Sequence, residues 1–458
     1  MKACKPKIGF ACFGEINTPK ERLLLKHSEG LTAVKGICEH VYDAGLVIDD
    51  ADYSSAKEAV KVLQKAWSEG GFSSLVVCVA GWIPSHAVIY VTDAFRHLPI
   101  LLWGLNGWYE NGRLYTTAGQ AGTTALRSAF EEMGYCFKYI YSIVGKDHPM
   151  DSISAFLYAA HAKEKLRTAR IGTMGWRDML LYGTNADPGM VRSRFGIEIE
   201  PFEMLEMVQG VEKVSNESVA DALSYIKSNW KFQEPCDDSI IETGIRYALS
   251  VGEIIKRRGY EAVTLNDVDG MKKLLGYPPS MIFMLLDHYY GVQVLPENDL
   301  IGGVMQLMLK HLTGQDTYYL EYYEFFETSV LAGVPDFIPK VAVDGDTLIL
   351  PAAFGLLSTS LLNVSAVKPG KLTCARLASI KGKFRLHLYS GEGKKPPSWA
   401  EFGWEEPAPQ LPSLEIFPDS CTVPEFAQKV MSQHVMVVYG NHSEAVRDLC
   451  TLLDIEII

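Results

Sequence analysis

The sequence predicts an α/β protein: two doubly wound parallel-sheet domains followed by a β-rich C-terminal domain. Through the first two thirds, short Val-, Ile- and Leu-rich runs alternate with amphipathic helical stretches. That is the pattern of a parallel sheet buried on both faces. After Gly314 the texture changes to strands joined by Gly, Pro and Asp turns. The length, 458 residues, also exceeds what one ordinary core fills and implies two or three domains.

In chain order, "KIGFACF" reads as the first strand and a charged helical stretch follows it. "GLVIDD" precedes the helix "SSAKEAVKVLQKAWSEGG". "SLVVCVAGW" and "LPILLWGLN" are too short for helices. "TTAGQAGTTALRSAFEEMG" is a loop leading into a helix, and "FKYIYSIVG" closes the first domain, residues 1–160. The amphipathic helix "DSISAFLYAAHAKEKLRTAR" leads into a second domain, 161–314, which repeats the architecture. Its strands are "RIGTMG", "IEIEPFEM", "AVTLNDV" and "VQVLPEND", and its helices include "ETGIRYALSVGEIIKRRG" and "LIGGVMQLMLKHLTG". The third, 315–458, holds the strands "TYYLEYYEFFE", "DTLILPAAFG" and "GKLTCARLASIKGKFRLHLYSGEG". It finishes on one α/β unit, "PEFAQKVMSQHVMVVYGNHSEAVRDLCTLLDIEII".

Composition narrows the function. Net charge is −12, from 43 basic and 55 acidic residues, and no long basic run interrupts it. Such a surface repels phosphate backbones, so nucleic acid is not an expected partner. No uncharged run approaches the roughly 20 apolar residues of a membrane span, and "MKACKPKIGFACFG" has no apolar segment long enough for a signal peptide. Nine cysteines are scattered without a CxxC pair, which fits buried, reduced thiols in a cytoplasmic protein better than a disulfide framework.

Three residues stand where strands meet loops: Glu297 in "VLPENDLIGG", Glu321 in "YYLEYYEFF" and His434 in "MSQHVMVVYG". Each alone reads equally as a cap, a solvated carboxylate or a structural histidine. Together, two carboxylates and an imidazole make a hard-to-borderline donor set. It suits Mn²⁺, Mg²⁺ or Co²⁺ better than a closed zinc site. Asp299 is either an N-cap for the helix from Leu300 or a substrate contact on the same side as Glu297. Trp82 lies just after a buried strand, where α/β ligand sites gather, and reads equally as a core or interface tryptophan. Met174, Trp176 and Arg177, in the second domain's first turn, are candidate substrate contacts. "AGQAGTTA" lacks the Walker lysine, so its glycines read as tight-turn residues. His311, His387 and His442 carry no partner pattern.

The order of "PENDLIGG", the acid of "YYLEYYEFF" and the terminal "QHVMVVYG" resembles the L-fucose isomerase family, with the L-arabinose isomerases as relatives. "GTMGWRDMLLYGTNADPGMVRSRFGIEIEPFEMLEM" is similar to that family's second-domain opening. The resemblance implies a divalent metal, Mn²⁺ foremost, held by Glu297, Glu321 and His434. It implies that the two glutamates act as a paired acid and base in aldose–ketose isomerisation by an enediol route. It also implies a small-molecule sugar substrate and a homo-oligomer, trimer or hexamer, in which Trp82 and Trp108 cover a neighbour's site. The chain departs from the pattern at three places. Glu321 stands where the fucose type has aspartate, although the arabinose type has glutamate. Gln433 replaces the first of two histidines. Ala352 and Ala353 occupy the neighbourhood of the arabinose type's extra histidine. These departures keep two further readings open: a non-catalytic sugar-binding relative, and an isomerase of a charged sugar, such as a sulfonated or carboxylated one, met by Arg177 or Arg22.

Overall fold

The computed structural model describes residues 4–334, 337–351, 361–398, 411–419 and 421–458. The chain gathers into two compact units. The first runs to Glu164 and adds Glu444–Asp454; the second comprises Lys165–Ser443 and Ile455–Ile458.

The first unit is built on a parallel sheet of β1 (Lys7–Phe13), β2 (His40–Val47), β3 (Ser74–Val79), β4 (Ile100–Gly104) and β7 (Phe137–Tyr141), in the order β2-β1-β3-β4-β7. A hairpin of β5 (Trp108–Glu110) and β6 (Arg113–Tyr115) leaves the end of β4. All six residues of β3 are buried, as a strand covered on both faces requires. The helix Ser54–Gly70 buries Ala56, Ala59, Leu63 and Ala66, a stripe at three- and four-residue spacing. The glycines of "AGQAGTTA" are not turn residues: Gly119 and Gly122 lie in the helix Gly119–Glu132, and Gly122 serves close packing, since a Cβ there would lie 3.1 Å from the Gly81 carbonyl and from the Ile83 nitrogen. The helix Ser443–Leu452 was expected to close the C-terminal domain, but from Glu444 onward it belongs to this first unit. Its acidic face explains the placement: Lys138 on β7 bonds Glu444 at 3.0 Å and Asp448 at 2.7 Å.

The second unit opens with β8 (Arg170–Met174), β9 (Glu198–Phe202), β11 (Ala262–Thr264) and β12 (Gln293–Leu295), a parallel sheet in the order β12-β11-β8-β9. A small separate sheet joins β10 (Trp230–Phe232), β15 (Thr347–Leu350) and β16 (Leu362–Asn363). The β-rich part contains β13 (Tyr318–Phe325), β14 (Val330–Gly333), β17 (Gly370–Ile380), β18 (Lys383–Lys394), β19 (Ser413–Pro418) and β20 (His434–Tyr439). These follow the antiparallel order β17-β20-β13-β14-β19-β18, and β18 pairs back with β17. The ring is therefore closed, which removes exposed strand edges. β21 (Glu456–Ile457) adds parallel to β18. Tyr322 and Tyr389, on opposite sides of the ring, bring their hydroxyls within 2.9 Å across its interior.

The helix Leu300–Thr313 joins sheet and barrel. Its buried residues run round the whole helix, from Leu300 through Val304, Met305 and Met308 to Leu312. One side packs on β8, β11 and β12, the other on β17 and β20. A boundary at Gly314 thus falls within one compact unit, because this helix supplies core to both of its neighbours. Among the described residues no helix is long and apolar enough to cross a membrane. All nine cysteines are free.

The helix Ser280–Tyr290 carries one costly group. Burial, and then the nearby Asp316 carboxylate, push the Asp287 carboxyl up to about 7, against Lys310 and a Lys340 backbone bond that pull it down. A raised folded-state value means that the favourable contribution is complete below the ordinary carboxyl range and is lost as pH rises towards 7. Asp287→Asn is therefore expected to stabilise the protein at pH 8 by about 1–3 kcal/mol and to change little at pH 4. Urea unfolding at the two pH values measures this, and equal effects at both would refute it.

Candidate metal centre

The turn after β12 delivers the first ligand candidate. Glu297 and Asn298 both adopt left-handed backbone, with φ of 60° and 49°. Non-glycine residues hold this conformation only where their surroundings enforce it. Here the Asn298 N–H donates to the Leu265 carbonyl at 3.1 Å and its side-chain amide to the Met174 carbonyl at 3.0 Å. Asp299 then caps the helix, accepting from the Gly302 N–H at 2.9 Å. Gly302 is required there, since a Cβ would lie 2.5 Å from the Asp299 carboxylate.

The barrel delivers the other two. Glu321 on β13 and His434 on β20 are directly paired in antiparallel register, which places their side chains side by side. His434 Nε2 lies 3.2 Å from a Glu297 oxygen and 3.2 Å from a Glu321 oxygen. One donor atom from each of the three residues falls within 4.8 Å of the others. His434 is fully buried, Glu297 nearly so, and Glu321 is the least covered. The Tyr319 ring meets the imidazole edge-on at 5.1 Å. Gln433, next to His434, donates its amide to Glu297 at 3.2 Å.

Behind the imidazole, His434 Nδ1 lies 2.7 Å from Asp299 Oδ2, and Arg376 from β17 forks onto the same carboxylate at 2.5 and 3.1 Å. Burial alone would raise the Asp299 carboxyl, but the Arg376 guanidinium and the His434 imidazole hold it well below the usual carboxylate range. Burial likewise opposes a charged His434, yet its bonds to Asp299, Glu297 and Glu321 hold the imidazole well above its ordinary value. The donor chemistry fits a divalent cation. Three carboxylates face one guanidinium and one imidazole. A dication beside a neutral imidazole neutralises them all, whereas a proton on His434 leaves one negative charge over. The 3.2 Å spacing is also close to the roughly 3 Å between neighbouring ligands of a metal held at about 2.1 Å.

The remaining candidates divide. Asp299, read as a cap or a substrate contact, is the cap: it is fully buried, with both oxygens taken by Gly302, Arg376 and His434, and has no face left for a sugar. Trp176 and Arg177 lie in the loop after β8, at the carboxyl end of the sheet whose β12 leads to Glu297, where α/β ligand sites gather. Trp176 is largely exposed, and the Arg177 guanidinium stacks 4.3 Å over Tyr182. Met174 is buried core. Trp82, Trp108 and Arg22 belong to the first unit; Trp82 is partly exposed, and Arg22 pairs with Glu110 at 3.3 Å beneath the Trp108 ring. His387 is a buried histidine pushed down to about 4 by desolvation, and His311 pairs with Glu261. Ala352 and Ala353 lie outside the described residues. Sequence reasoning missed Arg376, which sits mid-strand in "LTCARLASI" with no local signal.

No family model and no curated protein matches the chain. Among solved structures, it is similar to an ABC-transporter periplasmic solute-binding protein from Actinobacillus succinogenes 130z with bound D-allose. There the identity is 14%, over 68% of this chain and 92% of that one, with a TM-score of 0.16. The periplasmic binding component of the arabinose ABC transporter from Shewanella sp. ANA-3, bound to L-arabinofuranose, gives 10% identity over 68% and 86%, with a TM-score of 0.16. A LacI family transcription regulator from Clostridium acetobutylicum gives 14% over 67% and 92%, with a TM-score of 0.15. Likenesses this weak bear neither on the fold nor on the site.

Proposed function

We propose that the chain is a metal-dependent aldose–ketose isomerase of the L-fucose isomerase type, with its centre at Glu297, Glu321 and His434. The observation that carries the proposal is the convergence of these three donors from two separate parts of the second unit. Isomerisation moves one proton between adjacent carbons and another between their oxygens. A bound Mn²⁺, Mg²⁺ or Co²⁺ supplies Lewis acidity that stabilises negative charge on those oxygens. Glu297, Glu321 and His434, the last through Nε2, would hold the ion. Of the two glutamates, one would act as base, taking the carbon-bound proton and returning it to the adjacent carbon, and the other as acid, carrying the proton between the oxygens. Trp176 and Arg177 line the substrate side, with Arg177 the group that would meet an anionic substituent on a charged sugar. In this reading the protein is a homo-oligomer, trimeric or hexameric, with Trp82 facing a neighbour's substrate.

A second reading, a sugar-binding relative without catalysis, is favoured by Gln433. Its amide occupies a Glu297 oxygen at 3.2 Å and cannot itself transfer a proton. Equilibrium dialysis against Mn²⁺, followed by a screen of aldoses and ketoses with added metal, separates the two. The isomerase reading expects about one Mn²⁺ per chain and interconversion of at least one aldose–ketose pair. Sugar binding without metal uptake or turnover would establish the second reading instead.

A further inference from the structure

We propose that Arg376 is a positioning residue for this centre: it fixes the His434 imidazole through Asp299 and ties the loop after β8 to the same point through Gly183. The inference rests on the metal-centre reading above.

Arg376 is 1% exposed. Its Nη1 donates to Asp299 Oδ2 and its Nη2 to Asp299 Oδ1, the fork-to-carboxylate geometry that fixes direction as well as distance. The other contacts of that carboxylate complete its saturation. Oδ1 also accepts from the Gly302 N–H, and Oδ2 faces His434 Nδ1. A carboxylate held at four points cannot turn, so the imidazole bonded to it is held in plane. With Nδ1–H directed at Asp299, loss of the Nε2 proton would leave that nitrogen's lone pair facing Glu297 and Glu321. Outer partners of this kind set the orientation and basicity of a ligating histidine.

The same guanidinium reaches sideways. Arg376 Nη2 donates to the Gly183 carbonyl at 2.8 Å, and the next carbonyl, Thr184, accepts from the Ile301 N–H at 3.1 Å. The loop that carries Trp176 and Arg177 is thus pinned to the first turn of the Leu300 helix, beside the ligand turn. Arg376 also has a structural role, because it neutralises the fully buried Asp299 carboxylate, and an apolar side chain in its place would leave that charge without a cationic partner as well as free to rotate. Its Nε has no hydrogen-bond partner among the described residues. Loss of stability alone therefore does not test the positioning role, and the readouts below are ones a merely structural role would not move.

The test uses the full chain carrying Arg376→Met, which keeps the stem and removes the donors, and Arg376→Lys, which restores one charge without the fork. Mn²⁺ affinity, the Mn²⁺ electron paramagnetic resonance line shape and hydrogen exchange of residues 175–184 are read on protein whose melting is followed in parallel. The expected result for Arg376→Met is a roughly 10- to 100-fold weaker Mn²⁺ affinity, an altered line shape and faster exchange in the loop, with partial recovery in Arg376→Lys. Where Arg376→Met does not fold, Asp299→Asn, which keeps the cap but loses the fork, is expected to show the same loss. A folded variant that binds Mn²⁺ within twofold of the parent, with an unchanged line shape, overturns the proposal and leaves the metal centre standing. A parent protein that takes up no Mn²⁺ overturns the metal centre itself, and the proposal with it.

Discussion

Glu297→Gln is expected to lose on the order of 10² to 10⁴ in turnover, and more if the metal is lost with it, while the fold persists. The geometry separates the two halves of this expectation. The left-handed turn at Glu297 and Asn298 is enforced by the bonds that Asn298 makes to Leu265 and Met174, and none of these involves the Glu297 carboxylate. Glutamine fits the same turn and preserves its shape. It removes one of the three negative charges that attract a dication and one of the two groups able to carry the substrate proton. Mn²⁺ per chain, turnover of the sugar identified by screening, and melting temperature should be measured on the one variant. Melting within a few degrees of the parent, with metal and turnover both lost, is the predicted pattern. Activity within twofold of the parent would make Glu297 a structural residue and remove the acid–base pair.

The sequence made the parallel α/β sheets and the β-rich part legible and left the connections between them hidden, for physical reasons that differ by element. Buried parallel strands announce themselves because both faces are apolar, as in "SLVVCV", whose six residues are all buried. Glu297 and His434 were identifiable as polar residues at a strand's exit and entry, and Asp299 as a cap, because those are local patterns; Glu321, read as another strand-end residue, lies instead within β13, paired on both sides with His434 and Gly333. Barrel closure was not legible, since β17 meets β18 locally but meets β20 only across some 60 intervening residues, and nothing in either strand names its partner. The register that sets Glu321 beside His434 is hidden for the same reason. Arg376 is the extreme case. It lies 77 residues from Asp299, in a strand otherwise apolar at its centre, and its importance comes entirely from what folding brings against it. The last helix was misplaced because its amphipathic pattern states that it packs, while the salt bridges to Lys138 that say where are non-local.

His434→Ala is expected to weaken Mn²⁺ binding by more than the roughly 10- to 100-fold that loss of an outer partner costs, because it removes a ligand rather than its support. The buried geometry sets both the cost of this substitution and the pH range in which metal affinity falls. In the metal-free protein His434 is enclosed by three carboxylates. Burial opposes its charge, but the bonds to Asp299, Glu297 and Glu321 prevail and hold its proton well above the ordinary range. A value raised in the folded state means that the imidazolium stabilises the metal-free fold fully below about pH 6.5. That stabilisation is lost as pH climbs through the raised value. Alanine forfeits it and leaves Glu297 and Glu321 facing each other without a cation, at a cost of about 1–3 kcal/mol near neutrality. Binding a metal must expel the same proton, so affinity should fall about tenfold per pH unit while the imidazole is protonated, starting on the alkaline side of 6.5. Calorimetric titration of Mn²⁺ in buffers of different ionisation enthalpy should register proton release on binding in the parent, and that release should be lost in His434→Ala. An affinity that stays flat between pH 8 and pH 6, or a His434→Ala protein that binds Mn²⁺ like the parent but melts lower, would take His434 out of the ligand set and leave it the structural partner of Asp299.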